Sequence, residues 1–427
     1  MKWMQTAEQS AEEIIKQLTP SLDEKEAESV VQPIIEAVRS QGDAAVRAYT
    51  QEFDGVDSAE FYAPQEARKE AAARLEKEDP ALYDAIQLSI RRVRAYHEKQ
   101  KATGWWMQDD GALLGQIVRP LKRVGVYIPG GTAAYPSTVI MNVIPAQVAG
   151  VKEIVIATPP AAEGRAHDIV MATAHCLGVE RIFLAGGAQA IAALAYGTES
   201  CPAVDKITGP GNRFVAAAKR LVYGQVDIDM IAGPSEILII ADGSASAGVV
   251  AADLLSQAEH DPHSRAILLT NNTKLAEETQ NEVKRQLALL PRKEIAEKAI
   301  QNGSAIVMTK DLHEAMQISN RLAPEHLSLQ VEAPFDWVPA VENAGSVFVG
   351  SWTPEALGDY LAGPNHTLPT AGTARFSSPL SVQDFQKKTS VSYFTEEKFL
   401  ELADPVVRMA TKEGLTAHAR AVMARRE

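Results

Sequence analysis

Two textures of hydrophobic and polar positions follow one another along the chain, with the change near residue 120. Before it, apolar residues recur at helical spacing in segments rich in Ala, Glu, Lys, Arg and Gln. The stretch EKEAESVVQPIIEAVRSQGDAAVRAYTQEFDG predicts one helix or two, and APQEARKEAAARLEKEDPALYDAIQLSIRRVRAYHEKQK predicts two more. His97, among charged neighbours, reads as a surface residue. Beyond residue 120, short β-branched runs (RVGVYIP, EIVIATPP, RIFLAGG, EILIIAD, AILLTNN, AIVMTKD, SVFVG) alternate with Ala-rich helical runs such as QAIAALAYG, NRFVAAAKRLVYG and AGVVAADLLSQAE. Such alternation implies parallel sheets covered on both faces. After about residue 375 the pattern turns short and mixed, with no evident sheet of its own, and ends in a helix-like run. A tail of that size cannot bury a core alone and should pack on another body.

The expected fold is therefore α/β. A mostly helical region, 1–119, packs on the second of two doubly wound modules, 120–235 and 236–378, and a small C-terminal extension, 379–427, follows.

A chain of 427 residues is too long for one ordinary core. Its net charge of −13 argues against general nucleic-acid or anionic-membrane binding, which rewards clustered Lys and Arg. Cys176 and Cys201 are the only cysteines, too few for a disulfide framework, so a reducing cytosol is the natural setting. The N-terminus, MKWMQTAEQSAEEIIKQL, is amphipathic and acidic and does not read as a secretory signal. No run of about 18 apolar residues predicts a transmembrane helix. A cytoplasmic protein is expected.

In doubly wound sheets, ligands bind beyond the carboxyl ends of the strands. Three such ends carry glycine: VYIPGGTAAYPST (126–138), FLAGGAQAIAAL (183–194) and KITGPGNRFV (206–215). Glycine lets backbone N–H groups approach a phosphate, and a following helix N-terminus favours its charge. None is a strict dinucleotide fingerprint, and each alone could be a tight turn. Three in one module point to a nucleotide.

DLLSQAEHD places Gln257 and His260 on one face at a helix end, with Asp253 one turn before Gln257. That is either a site or a solvated last turn. RLAPEHLSLQ sets Glu325 beside His326, WTPEALGDYLAGPNHTLPT brings Asp359 and His366 into a Gly/Pro-rich loop, and KEGLTAHARA carries Glu413 and His418. Combined, a helix supplying one neutral oxygen and one imidazole, with a distant Asp and His, would make a four-ligand N/O zinc site that can take a substrate. Glu325 and His326 then suit proton transfer near neutral pH. Neither cysteine lies in these stretches, so a thiol nucleophile is not expected.

With these residues in view the chain resembles the histidinol dehydrogenases. VGVYIPGGTAAYPSTVIMNVIPAQVAG, ITGPGNRFVAAAK, DMIAGPSEILIIAD, DLLSQAEHDP, RLAPEHLSL and GDYLAGPNHTLPTAGTARFSSPLSV carry the resemblance, in the family's order. The HDPHS segment departs locally from the family pattern without touching a motif position. The resemblance implies incomplete Rossmann-like modules in an intertwined homodimer. It implies two NAD-linked oxidations of L-histidinol to L-histidine through the aldehyde. One zinc per subunit would be held by Gln257, His260, Asp359 and His418. Glu325 and His326 would be the acid–base pair, and Tyr127, Gln189 and Asn212 would contact NAD. Ser235 and Glu413 would contact substrate, beside the zinc ligands and His326, with His366 near the same site. The tail would reach the partner's active site. Two alternatives stand beside this reading. One is a zinc/NAD dehydrogenase of the same fold acting on another amino or sulfonated alcohol. The other is a non-catalytic small-molecule-binding relative, which would tend to lack one of the polar residues, and none is missing.

Overall fold

The computed structural model describes residues 1–19, 25–57, 60–130, 135–161, 164–231 and 233–426. Residues 131–134 of the first glycine-rich turn thus lie outside the described residues. Two compact units form, one from 1–100 and 121–385, the other from 101–120 and 386–427. This divides the chain differently from the four segments read along the sequence, because both parallel sheets share the larger unit.

The first sheet holds, in spatial order, Arg181–Leu184, Glu153–Thr158, Arg123–Tyr127, Lys206–Thr208 and Asp227–Ile228, all parallel. The second runs Lys2–Gln5, Ala305–Met308, Arg265–Thr270, Glu236–Ala241, His326–Gln330 and Ser346–Val349, also parallel. Glu236–Ala241 is buried at every position, which explains why EILIIA shows no alternation: both faces are covered. Lys2–Gln5 is a strand that periodicity could not reveal, since four residues are too few to set a period.

The expected packing of the N-terminal region on the second module holds only for Lys2–Gln5 and for helix Ala11–Leu18, which lies against Leu312–Leu322. The other helices pack on the first module. Lys25–Gln41 lies on Gly187–Tyr196 and Arg213–Val222, Gln65–Glu78 on Asp168–Cys176, and Pro80–Glu98 on Pro136–Ala149. Val31, Ile34, Ile35 and Val38 share a core with Ala188, Ala192 and Ala217, whose small side chains allow close helix approach. His97 is a second correction: it is fully buried, not on the surface. Its Nδ1 donates to Val93 O at 2.8 Å, and Asn365 Nδ2 lies 3.3 Å from its Nε2. Both ring nitrogens are satisfied inside, and burial holds its pKa below the ordinary value.

In the smaller unit, Trp105–Asp109, Ala112–Pro120 and Gln386–Phe394 form an antiparallel sheet with Ala112–Pro120 central. The tail therefore has a nine-residue strand, paired with a segment far earlier in the sequence. Helices Glu396–Lys412 and Thr416–Met423 pack on each other. Trp106, Tyr393 and Met409 stay more than half exposed. No helix among the described residues is long and apolar enough to cross a membrane.

Candidate active site

A groove of about 1070 Å³ in the larger unit collects most of the polar residues singled out above. The first sheet contributes from a carboxyl end: strand Lys206–Thr208 runs into the 209–212 turn, which lines the groove. The second sheet contributes from amino ends. Ser235 precedes its strand, and Arg265 and His326 are the first residues of theirs.

The turns are held by close backbone approach. Gly209 has φ +115°, and a Cβ there would fall 2.1 Å from Tyr127 O, so only glycine fits. Its N–H donates to Asp229 Oδ2 at 2.8 Å, and Lys219 Nζ donates to Gly209 O at 3.0 Å. Lys219 and Asp229 are themselves a buried ion pair. Asn212 caps helix Arg213–Val222 by accepting from Phe214 N and Val215 N, and it lines the groove. Tyr127 and Gln189 are buried beside the turns: Tyr127 Oη accepts from Gly187 N at 3.0 Å. Gln189 Oε1 is buried with no hydrogen-bond partner among the described residues, an acceptor available to a bound donor.

His326 is buried, and its Nδ1 lies 2.9 Å from Glu236 O. A carbonyl can only accept, so Nδ1 carries the hydrogen and Nε2 keeps its lone pair. Burial pushes the imidazole down to about 4, against the upward pull of the Asp359 carboxylate; it is neutral near pH 7. Glu325 Oε2 lies 3.6 Å from His326 Nδ1 and accepts from Glu236 N at 2.8 Å. Burial, together with the carboxylates of Glu236, Glu355 and Asp359, drives the Glu325 pKa well above its usual range. Glu236, which pairs with Arg265 and accepts from Ala371 N at 3.1 Å, anchors both Glu325 and His326 through its backbone.

One candidate metal cluster lies beside them. Ligand atoms of His260, Glu355 and Asp359 all fall within 4.8 Å of one another. Gln257 is buried at the end of helix Ala247–Ala258, where its amide nitrogen donates to both Glu355 oxygens at 3.0 Å in the orientation that satisfies the group. This places nitrogen, not oxygen, on the Glu355 side. The cluster offers one imidazole and two carboxylates, an N/O set that suits zinc with an open position. Asp253 instead accepts from Gln330 Nε2 at 2.7 Å. His366 lines the groove with a buried Nε2 that has no partner among the described residues. Glu413 and His418 are carried by the smaller unit, where Glu413 caps helix Glu396–Lys412 and His418 lies in Thr416–Met423.

The sequence reading passed over Glu355 and Glu236. Glu355 follows a proline at a helix start, where acidic residues are ordinary, and Glu236 opens an apolar strand. Only the spacing of Glu355 to Asp359, one helical turn, hinted that they share a face.

The family model described as histidinol dehydrogenase matches residues 18–426. The chain is 52% identical over 398 residues to a histidinol dehydrogenase of Bacillus cereus, covering 93% of this chain and 92% of that one. It is 53% identical over 402 residues to one from Bacillus licheniformis, covering 94% of each. The crystal structure of histidinol dehydrogenase from Elizabethkingia anophelis superposes with a TM-score of 0.93 at 37% identity, over 100% of this chain and 98% of that one. By sequence and fold alike, the chain belongs to the histidinol dehydrogenase family.

Proposed function

We propose that this protein oxidises L-histidinol to L-histidine through the aldehyde, with two NAD per substrate, in histidine biosynthesis in the cytoplasm. The observation that carries the reading is a buried, neutral His326, its Nδ1 tied to Glu236 O, in one groove with Glu325 and the cluster of His260, Glu355 and Asp359. Gln257, His260 and Asp359 would hold zinc, with His418 of the partner subunit as fourth ligand. When bound, zinc would hold the substrate's amine and imidazole, and NAD would take up hydride in each oxidation.

The chain's own groups handle the protons. His326 Nε2 accepts the hydroxyl proton as the alcohol is oxidised, which its neutral state permits. For the second oxidation, Glu325 and His326 take a proton from the water that hydrates the aldehyde. A carboxylate with a raised pKa is the stronger proton acceptor once ionised. Tyr127, Gln189 and Asn212 would position NAD along the glycine turns, and Ser235, with Glu413, would contact the amino alcohol. One groove for both oxidations keeps a reactive aldehyde from escaping.

The smaller unit supports a homodimeric reading. It bears exposed Trp105, Trp106, Tyr393 and Met409, a surface that suits a subunit interface. The deciding experiment counts NADH formed per histidinol by zinc-replete protein, with two expected. Protein that binds histidinol yet forms no NADH would sink the reading, whereas a halt at one with free aldehyde would remove only the second oxidation.

A further inference from the structure

Glu355 lies in the candidate metal cluster but is not among the zinc ligands proposed above, and it is as buried as Glu325 and His326, at 3% exposure. It opens helix Glu355–Tyr360 and meets the last turn of helix Ala247–Ala258, nearly a hundred residues earlier in the chain. Its two oxygens are both engaged there. The Gln257 amide nitrogen donates to each at 3.0 Å, and Ser256 Oγ donates to Oε2 at 3.1 Å. We infer that Glu355 is a positioning residue of the metal centre, its carboxylate holding the Gln257 amide so that oxygen, rather than nitrogen, is offered to the metal.

The physical reason lies in the amide. Its oxygen is a metal ligand, whereas its nitrogen carries two hydrogens and no free lone pair. The two orientations have almost the same shape, so packing alone does not choose between them. A carboxylate does choose, since the wrong orientation sets oxygen against oxygen, and the right one makes two hydrogen bonds. Ser256 keeps the carboxylate from turning. Asp359 lies one helical turn after Glu355, and its ligand atom falls within 4.8 Å of those of His260 and Glu355; with Asp359 as the carboxylate ligand of the site proposed above, the Glu355 carboxylate is left to orient Gln257. Partners that orient a ligand in this way commonly govern metal affinity by about 10–100-fold.

The inference rests on the metal site proposed above, and the experiment separates the two. Zinc affinity is measured by competition with a chromophoric chelator on metal-stripped, full-length protein. Glu355→Ala should weaken binding about 10–100-fold. Glu355→Gln, whose single oxygen can still accept from the Gln257 N–H, should recover part of that loss. In a Gln257→Ala background, Glu355→Ala should weaken binding no further, because the group it orients is gone. If Glu355→Gln binds as weakly as Glu355→Ala, or if the two losses multiply, Glu355 is a ligand in its own right and the inference falls. A His260→Ala protein that binds zinc as tightly as the unaltered chain would overturn the metal centre itself, and the inference with it. Glu355→Gln keeps the test decisive should the alanine variant fold poorly, which thermal unfolding of the metal-stripped proteins reports.

Discussion

His260 and His326 line one groove from opposite environments, and their chemistry follows from that difference. His260 is exposed beside Asp359, open to a cation, while His326 is buried with one nitrogen committed to a backbone carbonyl. His260→Ala and Asp359→Ala should therefore lose bound zinc together with activity. His326→Ala should keep its zinc and lose about 10²–10⁴ in kcat. Metal content measured alongside rate decides it, and a zinc-free His326→Ala protein would reverse the assigned roles. Glu325 gives a prediction with a sign. Its pKa is raised in the folded protein, so as pH climbs above 4.5 the unfolded chain releases this proton while the folded chain retains it. Its burial then costs more stability the higher the pH. Glu325→Gln, neutral at every pH, should unfold at higher temperature than the unaltered metal-stripped protein near neutrality, with the gap closing towards pH 4.5. The same variant should slow aldehyde oxidation more than alcohol oxidation, since only the former needs an activated water.

At the scale of elements, the strand-to-helix turn at 209–212 is rigid because three constraints meet on one residue. Gly209 presses against the Tyr127 backbone, donates to Asp229 and accepts from Lys219. Gly209→Ala forces a left-handed φ on a side chain and drives its Cβ into a backbone oxygen, strain of roughly 1–3 kcal/mol before any clash is counted. The turn must shift, and Tyr127 with it. The expected outcome is a raised KM for NAD with a smaller change in the KM for histidinol, read from initial rates at varied concentrations of each. Equal changes in both would show that the turn serves the whole groove and not the nucleotide end.

For the whole molecule, the zinc site proposed above would take its fourth ligand, His418, from the partner subunit. Glu413 and His418 belong to the smaller unit, the groove is lined by residues of the larger one, and the smaller unit exposes large aromatic residues. In a homodimer with shared sites, mixing His418→Ala with His260→Ala protein under subunit exchange gives mixed dimers in which one site carries both lesions and the other none. About half of the sites in those dimers should regain activity. Continued inactivity with exchange confirmed independently would assign His418 to its own chain's site.

What the sequence determined by itself was whatever depends on local pattern. Apolar runs with a period, or with none, marked the strands and helices from residue 120 onward, because a sheet covered on both faces demands such runs. Long motifs around Gln257, His260, Glu325, His326 and Asp359 marked residues that line one groove, since their chemistry is written in residue types. The tertiary structure decided whatever depends on a partner distant in sequence. Lys2–Gln5 becomes a strand only because Ala305–Met308 offers an open edge, and Gln386–Phe394 only because Ala112–Pro120 does. His97, framed by charged residues, is buried because Asn365 and the Val93 carbonyl satisfy its ring. The Glu355 carboxylate gains its place from Gln257 and Ser256 on another helix. A polar group's role is set by what it hydrogen-bonds, and in each of these cases the partner is supplied by the fold.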